Sequence, residues 1–263
     1  MAVNRIRLAF CAAAVAALLF PLAPAPAQEL LWPFFNWNQR PLPPAKERQR
    51  IERRQPVDED TDRPRRAHQG TPGEFDFYVL SLSWSPSFCE TGGGRRGENE
   101  QCGRERPYAF VVHGLWPQYE RGFPEYCTEP APWIENKLIR SMLDLMPAKK
   151  LVIHEWQAHG TCSGLDPERY FGTVRSAREK ISIPERFVRL DGYTTLAPAE
   201  VEDAFVAANP GLAHEMIAVT CSGRYLSEVR ICMSKDLGFH ACPETDRRAC
   251  RNQQVVMPPV RGG

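Results

Sequence analysis

The chain has 263 residues, enough for one sizeable domain or at most two small ones, and its hydrophobic share of 43% and charged share of 25% are ordinary for a globular protein. The formal net charge of +1 excludes the strongly basic composition that marks many nucleic-acid binders. From residue 74 onward the chain holds 22 Lys/Arg and 25 Asp/Glu, a net charge of −3.

Residues 1–27 have the composition of a secretory signal peptide. Arg5 and Arg7 precede an apolar run at 8–20, and Ala-Pro-Ala at 25–27 offers small residues for cleavage. A membrane-spanning helix would need ~20 apolar residues, whereas three prolines interrupt the segment before residue 27. We therefore expect a periplasmic or secreted protein that is not inserted in a membrane after cleavage.

The next segment, residues 28–73, is predicted to be a flexible leader. It mixes prolines with nine Lys/Arg and seven Asp/Glu and shows no sustained apolar period. Such a composition cannot bury a hydrophobic core. The folded domain is therefore expected at 74–252, followed by a C-terminal tail at 253–263.

Four strands are predicted within this domain from alternating or continuous apolar residues. They cover residues 75–84, 109–116, 215–222 and 225–234, and the last two are joined by a tight turn at Gly223. The second strand is expected to end at His113.

Three helices are predicted between these strands. Residues 132–146 have apolar positions at helical spacing, residues 166–181 begin with Asp166 as N-cap before a proline, and residues 198–209 carry acidic residues in the first turn. The strand pairs are linked too closely for crossover helices. The sequence therefore predicts an α+β fold, with an antiparallel sheet core packed with several helices and stapled by disulfides.

Eight of the nine cysteines lie outside the signal segment. They are Cys89, Cys102, Cys127, Cys162, Cys221, Cys232, Cys242 and Cys250. An even number in an exported chain predicts four disulfides, although eight cysteines allow 105 connectivities. Since no odd cysteine remains, we expect Cys162 to be half of a disulfide and not a nucleophile.

The stretch HEWQAHGTC at 154–162 contains the densest group of candidate catalytic residues. A zinc protease places two histidines at i and i+4 of a helix, with a glutamate as base. Here His154 and His159 are five positions apart, so they diverge around a helix axis. A metal site is therefore not expected, and no cofactor is predicted.

Two imidazoles can instead form a proton relay. With an unperturbed pKa of about 6.5, one histidine can serve as general base and another as general acid. Attack of a ribose 2′-hydroxyl on the adjacent phosphorus needs such a pair and no protein nucleophile. Another histidine, His113, lies in VVHGLWPQY and is a candidate for the second role.

The segments HGLWP at 113–117 and HEWQAHGTC at 154–162 resemble the two active-site segments of the T2-type ribonucleases, which are secreted or periplasmic endoribonucleases. FDFYVLSLSWSPSFC and YLSEVRICMSKDL are similar to the same family, so the resemblance extends over most of residues 75–250. It implies a monomeric enzyme without an obligate protein partner that cleaves single-stranded RNA through 2′,3′-cyclic phosphates.

The resemblance also implies a role for each residue of the candidate site. His113 corresponds to the general acid and His159 to the general base. Glu155 corresponds to a carboxylate that orients groups or stabilises the charged transition state, and His154 to a phosphate-contacting histidine. Trp116 matches an aromatic residue that stacks on a base.

The family's disulfide pattern, carried over to this sequence, implies four pairs. They are Cys89–Cys102, Cys127–Cys162, Cys221–Cys250 and Cys232–Cys242. The second pair would hold the two active-site segments together.

Two positions depart from the family pattern. Ala158 stands where a lysine usually precedes the second histidine, so we expect His159 to keep its proton to a higher pH than in relatives that carry the lysine. Gln118 replaces an acidic residue that helps to select a base in fungal relatives, which leaves the base preference open. The alanine also supports an alternative function, a catalytically weakened relative that binds RNA or signals.

Overall fold

The computed structural model describes residues 70–92, 99–103 and 107–261. The predicted signal segment and residues 28–69 of the predicted leader lie outside the described residues. In the part of the chain that is described, no helix is both long enough and apolar enough to span a membrane.

One mixed sheet of six strands organises the described residues. The strands are β1 (Phe77–Trp84), β2 (Phe110–Gln118), β3 (Thr194–Leu196), β4 (Ile217–Ser222), β5 (Tyr225–Met233) and β6 (Val255–Met257). The order is β2-β1-β5-β6-β3, and β4 also pairs with β5. Every pairing is antiparallel except a short parallel contact between β5 and β6. The predicted α+β fold with an antiparallel sheet core is confirmed.

Short helices surround the sheet. They are α1 (Ser85–Glu90), α2 (Asn99–Cys102), α3 (Asn136–Ser141), α4 (Lys149–Ala158), α5 (Pro167–Glu179), α6 (Pro198–Ala208) and α7 (Pro243–Arg247). A 3₁₀ turn, Gly160–Ser163, follows α4 directly.

The central strand β1 has two faces of different chemistry. Because side chains alternate along a strand, one face carries Tyr78, Leu80, Leu82 and Trp84, which all pack in the main hydrophobic core. The opposite face, called the site face below, carries Phe77, Val79, Ser81 and Ser83. The alternation of large apolar residues with serine therefore directs one side of the sheet to the core and leaves space on the other.

Helix α5 forms where the sequence predicts a helix. The Asp166 carboxylate accepts a 2.8 Å hydrogen bond from the backbone N–H of Arg169, which satisfies one of the unpaired donors of the first turn. Its buried residues include Tyr170, whose hydroxyl donates to the carbonyl of Leu115 at 2.9 Å. This contact ties the helix to the strand that carries His113.

The predicted helix at 132–146 was too long. Only Asn136–Ser141 is helical, and the chain then passes through turns to residue 146. The Leu145 carbonyl accepts a 2.9 Å hydrogen bond from the N–H of Val112, at the outer edge of β2. Since an exposed edge strand needs its donors covered, the connection to the sheet replaces the last helical turns.

The C-terminal segment joins the sheet. Within the predicted tail at 253–263, strand β6 pairs with β3, and the side chains of Val255 and Met257 are fully buried. The indole N–H of Trp84 donates to the carbonyl of Pro258 at 3.1 Å.

The eight cysteines form four disulfides, with the pairing that the family resemblance implies. The pairs are Cys89–Cys102, Cys127–Cys162, Cys221–Cys250 and Cys232–Cys242. The second bond connects the segment after β2 to the 3₁₀ turn after α4, so it fixes the distance between the two candidate active-site segments.

Candidate active site

His113 lies on a β-bulge inside β2. Ser81 of β1 pairs with Gly114 and Leu82 pairs with Val112, which leaves His113 as an extra residue without a partner on β1. The strand does not end at His113, as the sequence suggested, but continues to Gln118. A bulge bends the strand and re-aims a side chain. Here His113 and Trp116 both lie close to Glu155 on α4.

Two buried carboxylates flank the imidazole of His113. Its Nδ1 contacts Oε1 of Glu228 on β5, and its Nε2 lies 3.5 Å from Oε1 of Glu155 on α4. Burial alone would lower the pKa of His113, but the hydrogen bond and charge of Glu228, with the charge of Glu155, outweigh it and raise this pKa above its usual value. The surroundings therefore favour the protonated ring.

Glu155 is almost fully buried, with 1% of its surface exposed. Its Oε2 accepts a 2.7 Å hydrogen bond from the indole N–H of Trp116. Burial raises the pKa of Glu155 to about 7, although the charge of His113 and the bond from Trp116 oppose this shift. A Cβ at Gly114 would lie 2.0 Å from Oε2, so the glycine of the HGLWP segment is what admits this carboxylate.

His159 occupies the C-cap of α4, directly after Ala158. Its ring centroid lies 5.4 Å from that of Trp116, and the His113 centroid lies 5.3 Å from the same indole. Burial, with the positive charges of His113 and His154, lowers the pKa of His159 to about 3. Its Nδ1 is buried without a hydrogen-bond partner among the described residues.

Ala158, the position where we expected the missing lysine to affect the protonation of His159, lies in the packed end of α4. Ala158 is 1% exposed, and its carbonyl accepts a 2.8 Å hydrogen bond from the N–H of Tyr126. The tight packing at this end of α4 also buries the neighbouring imidazole, and burial disfavours its charged form. Desolvation therefore lowers the pKa without a lysine.

His154 differs from the other predicted catalytic and substrate-binding residues in being exposed. It lies on the exposed side of α4, while Glu155 on the same helix points inward. Its charge still reaches His159, whose pKa it lowers.

A pocket of about 260 Å³ opens beside these residues. Trp116, Gln118, His159 and Arg230 line it, together with residues from the turn after β2 and from α7. The guanidinium carbon of Arg230 lies 5.1 Å from the centroid of the Trp116 ring. One face of the indole predicted to stack on a base is therefore covered by a cation.

Glu228 and Arg230 belong to the site but were missed from the sequence. They alternate with Val229 and Ile231, which are fully buried in the core, so they project to the site face. Two charged residues at i and i+2 of an otherwise apolar strand were the available signal. No group of three or more potential metal ligands occurs among the residues that the structure describes.

Comparison with known proteins identifies the family of this chain. The family model described as Ribonuclease T2 family matches residues 75–242. The chain belongs to the ribonuclease T2 family. This T2 ribonuclease is thus an RNA-cleaving enzyme.

Curated relatives of this chain are named ribonucleases. A ribonuclease of Aeromonas hydrophila is 34% identical over 172 residues, which cover 64% of this chain and 76% of that protein. Ribonuclease I of Escherichia coli K12 is 26% identical over 206 residues, covering 62% of this chain and 77% of the relative.

Solved structures share the fold of this T2 ribonuclease. An RNase-related protein from Calystegia sepium superposes with a TM-score of 0.57 at 22% identity, covering 71% of this chain and 98% of that one. RNase NT, solved in complex with 5′-AMP, gives a TM-score of 0.54 at 24% identity, with 71% and 99% covered.

Proposed function

We propose that this T2 ribonuclease is a metal-independent endoribonuclease that cleaves single-stranded RNA by transphosphorylation through 2′,3′-cyclic phosphate products. The observation that carries the proposal is the pair His113 and His159. Both rings lie against the indole of Trp116, and their surroundings drive their proton affinities in opposite directions. Groups whose environments push their pKa values apart are suited to acid and base roles.

His159 is the general base of this mechanism. A base must be deprotonated before the reaction, and a pKa lowered to about 3 keeps this imidazole neutral at physiological pH. The ring lines the pocket, so it can take the proton of a ribose 2′-hydroxyl. The oxygen O2′ then attacks the adjacent phosphorus.

His113 is the general acid. As the new P–O2′ bond forms, the P–O5′ bond breaks, and the leaving O5′ takes a proton from His113. The products are a 2′,3′-cyclic phosphate and a 5′-hydroxyl, with one proton gained by His159 and one lost by His113. The raised pKa of His113 supplies that proton at neutral pH, and no step requires a metal.

Glu155, His154 and Trp116 support the reacting pair. Glu155 lies against Nε2 of His113 and holds the indole of Trp116, so it orients both groups and can stabilise positive charge as protons move. His154 offers an exposed imidazole for an approaching phosphate. Trp116 provides an aromatic surface for a base, a contact worth about 1–3 kcal/mol per base in single-strand binders.

Four disulfides support an oxidising location for this protein, the periplasm or the exterior. Export would use the segment at 1–27, whose removal leaves Gln28 as the first residue. Sequencing the N-terminus of the exported protein tests this location.

The decisive experiment is cleavage of a single-stranded RNA in excess EDTA, followed by analysis of the product ends. We expect undiminished cleavage and 2′,3′-cyclic phosphate ends. Loss of activity in EDTA that added divalent metal restores would contradict the mechanism. Binding of RNA without any cleavage would favour the weakened, RNA-binding alternative.

A further inference from the structure

The Nδ1 atom of His113 faces a carboxylate that no sequence motif places there. Glu228 lies on β5, 115 positions further along the chain, and its Oε1 contacts this nitrogen. The carboxylate is deeply buried, since Glu228 is 6% exposed. A buried charge is stable only when paired and hydrogen-bonded, so this contact constrains both partners.

The contact between His113 and Glu228 reaches across strand β1. β1 lies between β2 and β5, and on its site face Ser81 pairs with Gly114 and with Arg230, while Ser83 pairs with Val111 and with Glu228. Serine side chains are short. Their place on this face leaves the space through which the imidazole and the carboxylate meet.

Arg230 holds the second oxygen of the same carboxylate. Its Nε and Nη2 donate to Oε2 of Glu228 at 2.9 Å and 2.7 Å, which leaves Oε1 for His113. Burial opposes the ionisation of Glu228, but its contact with His113 and the charge of Arg230 lower its pKa to about 2. The carboxylate is thus ionised and fixed in position.

We propose that Glu228, clamped by Arg230, is the positioning residue of the general acid: it accepts the Nδ1–H of His113, so that Nε2 carries the proton that is transferred to the leaving oxygen. The inference rests on the proposed role of His113 as acid. Glu228 itself does not contact the reacting atoms. It fixes the tautomer and the orientation of the ring, the part that the second nitrogen's partner commonly plays for a histidine.

The charges around His113 predict the direction of a pH effect. Glu228 and Arg230 face the ring from β5 and Glu155 faces it from α4, while His159 lies against the same Trp116 ring as His113. Burial and the charge of Arg230 lower the pKa of His113, and the carboxylates raise it. If the charge of Glu228 is removed, only Glu155 still raises this pKa, so it should fall. The acid then loses its proton at a lower pH, so the alkaline limb of the pH–rate profile moves to lower pH.

The test compares Glu228→Gln with Asp203→Asn in the full protein, by kcat and KM on a dinucleotide across pH. Asp203 forms a 3.2 Å pair with His214 away from the site, so its variant breaks a matched histidine–carboxylate pair. For Glu228→Gln we expect kcat to fall about 10–100-fold, as for outer partners of ligating histidines, with KM little changed and the alkaline limb at lower pH. Asp203→Asn should behave as the parent protein.

A measurement on the unaltered protein complements the variants. In ¹⁵N-labelled protein, NMR should assign the proton of neutral His113 to Nδ1 and find it strongly deshielded by the carboxylate. A neutral His113 protonated on Nε2 alone would overturn the inference, even if Glu228→Gln did not fold.

The variants also separate this inference from the proposed function. A folded Glu228→Gln protein with unchanged kcat and alkaline limb overturns the positioning role, while an inactive His113→Ala variant would leave the role of the acid intact. An active His113→Ala variant would instead reject the acid assignment itself.

Discussion

His113 and His159 are the same side chain in two contrasting regions of the molecule. Burial acts in the same direction on both, lowering the pKa of each ring. His113 sits on a bulged strand within reach of carboxylates from two other elements, whereas His159 ends a helix and receives only the positive charges of other histidines. The neighbouring charges, and not burial, therefore give the pKa values of the two imidazoles shifts of opposite direction.

Removing either ring should give the largest effect. We expect His113→Ala and His159→Ala each to lower kcat by about 10²–10⁴-fold, the usual contribution of a general acid or base. His214→Ala, which removes an exposed histidine outside the site, serves as control and should retain full activity. Rates on a dinucleotide, with circular dichroism to verify folding, provide the measurement. A folded variant of either site histidine with near-normal kcat would contradict its assignment.

The disulfide Cys127–Cys162 should support His159 far more than His113. Cys162 donates its backbone N–H to the carbonyl of His159 at 2.9 Å. For a sequence separation of 35 residues, loop closure predicts a loss of about 4 kcal/mol on removal of the bond. Urea unfolding of the double variant Cys127→Ala/Cys162→Ala should show this loss, with reduced kcat where the protein is still folded.

The bond Cys89–Cys102 offers the matched control. It joins α1 to α2, and its separation of 13 residues predicts a loss of about 3 kcal/mol. Its double alanine variant should lose stability but keep kcat under conditions where it is folded. Equal losses of kcat in both double variants would show that Cys127–Cys162 has no particular connection to His159.

Gly114→Ala should displace the carboxylate of Glu155, which lies beside His113. The new Cβ would lie 2.0 Å from Oε2 of Glu155 and 2.4 Å from Nε1 of Trp116. Overpacking of this kind costs about 1–3 kcal/mol, and the displaced carboxylate should also lower kcat. Gly172→Ala in α5 meets no atom within 4 Å and should instead stabilise the protein by up to about 1 kcal/mol. Thermal unfolding of both variants tests the contrast, which would fail if Gly114→Ala were neutral.

His154→Ala should produce the smallest change in pH dependence, and it should affect only the limb that His159 sets. The charge of His154 lowers the pKa of His159, so its removal should raise that pKa. A base with a higher pKa is deprotonated only at higher pH, and the acid limb of kcat/KM should move upward. Because His154 is exposed, the contribution is about 0.2–1 kcal/mol, less than one pKa unit. His154→Lys keeps the positive charge and should leave the limb in place, whereas identical limbs in all three proteins would contradict the coupling.

Much of the fold follows from local sequence patterns. The alternation of large apolar residues with serine in β1 defines the core and site faces, Asp166 marks the start of α5, and Gly223, with φ of 56°, forms the turn between β4 and β5. Each of these signals acts over a few residues. Patterns of this range are visible in one sequence without knowledge of the sheet order.

The site depends on contacts that local patterns cannot reveal. The pairing of His113 with Glu228 requires β5 to lie beside β1 and β1 beside β2. Helix α4 was not predicted, since it buries a carboxylate, Glu155, at a position where an amphipathic pattern has an apolar residue. The lowered pKa of His159 likewise arises first from burial in the folded structure, which the residues around position 159 do not reveal.

The bulge at His113 means that the sheet contains one residue more than its architecture needs. Val112 pairs with Leu82 on the core side, and Leu115 pairs with Leu80, also on the core side, although three positions separate them. Deleting either residue of the His113-Gly114 pair would restore an uninterrupted ladder with both leucine contacts intact. One deletion removes the imidazole and the other the opening for Glu155. Under the proposed roles of His113 and Glu155, the shortened strand would be the more regular one and would lack one of the two groups on which cleavage depends.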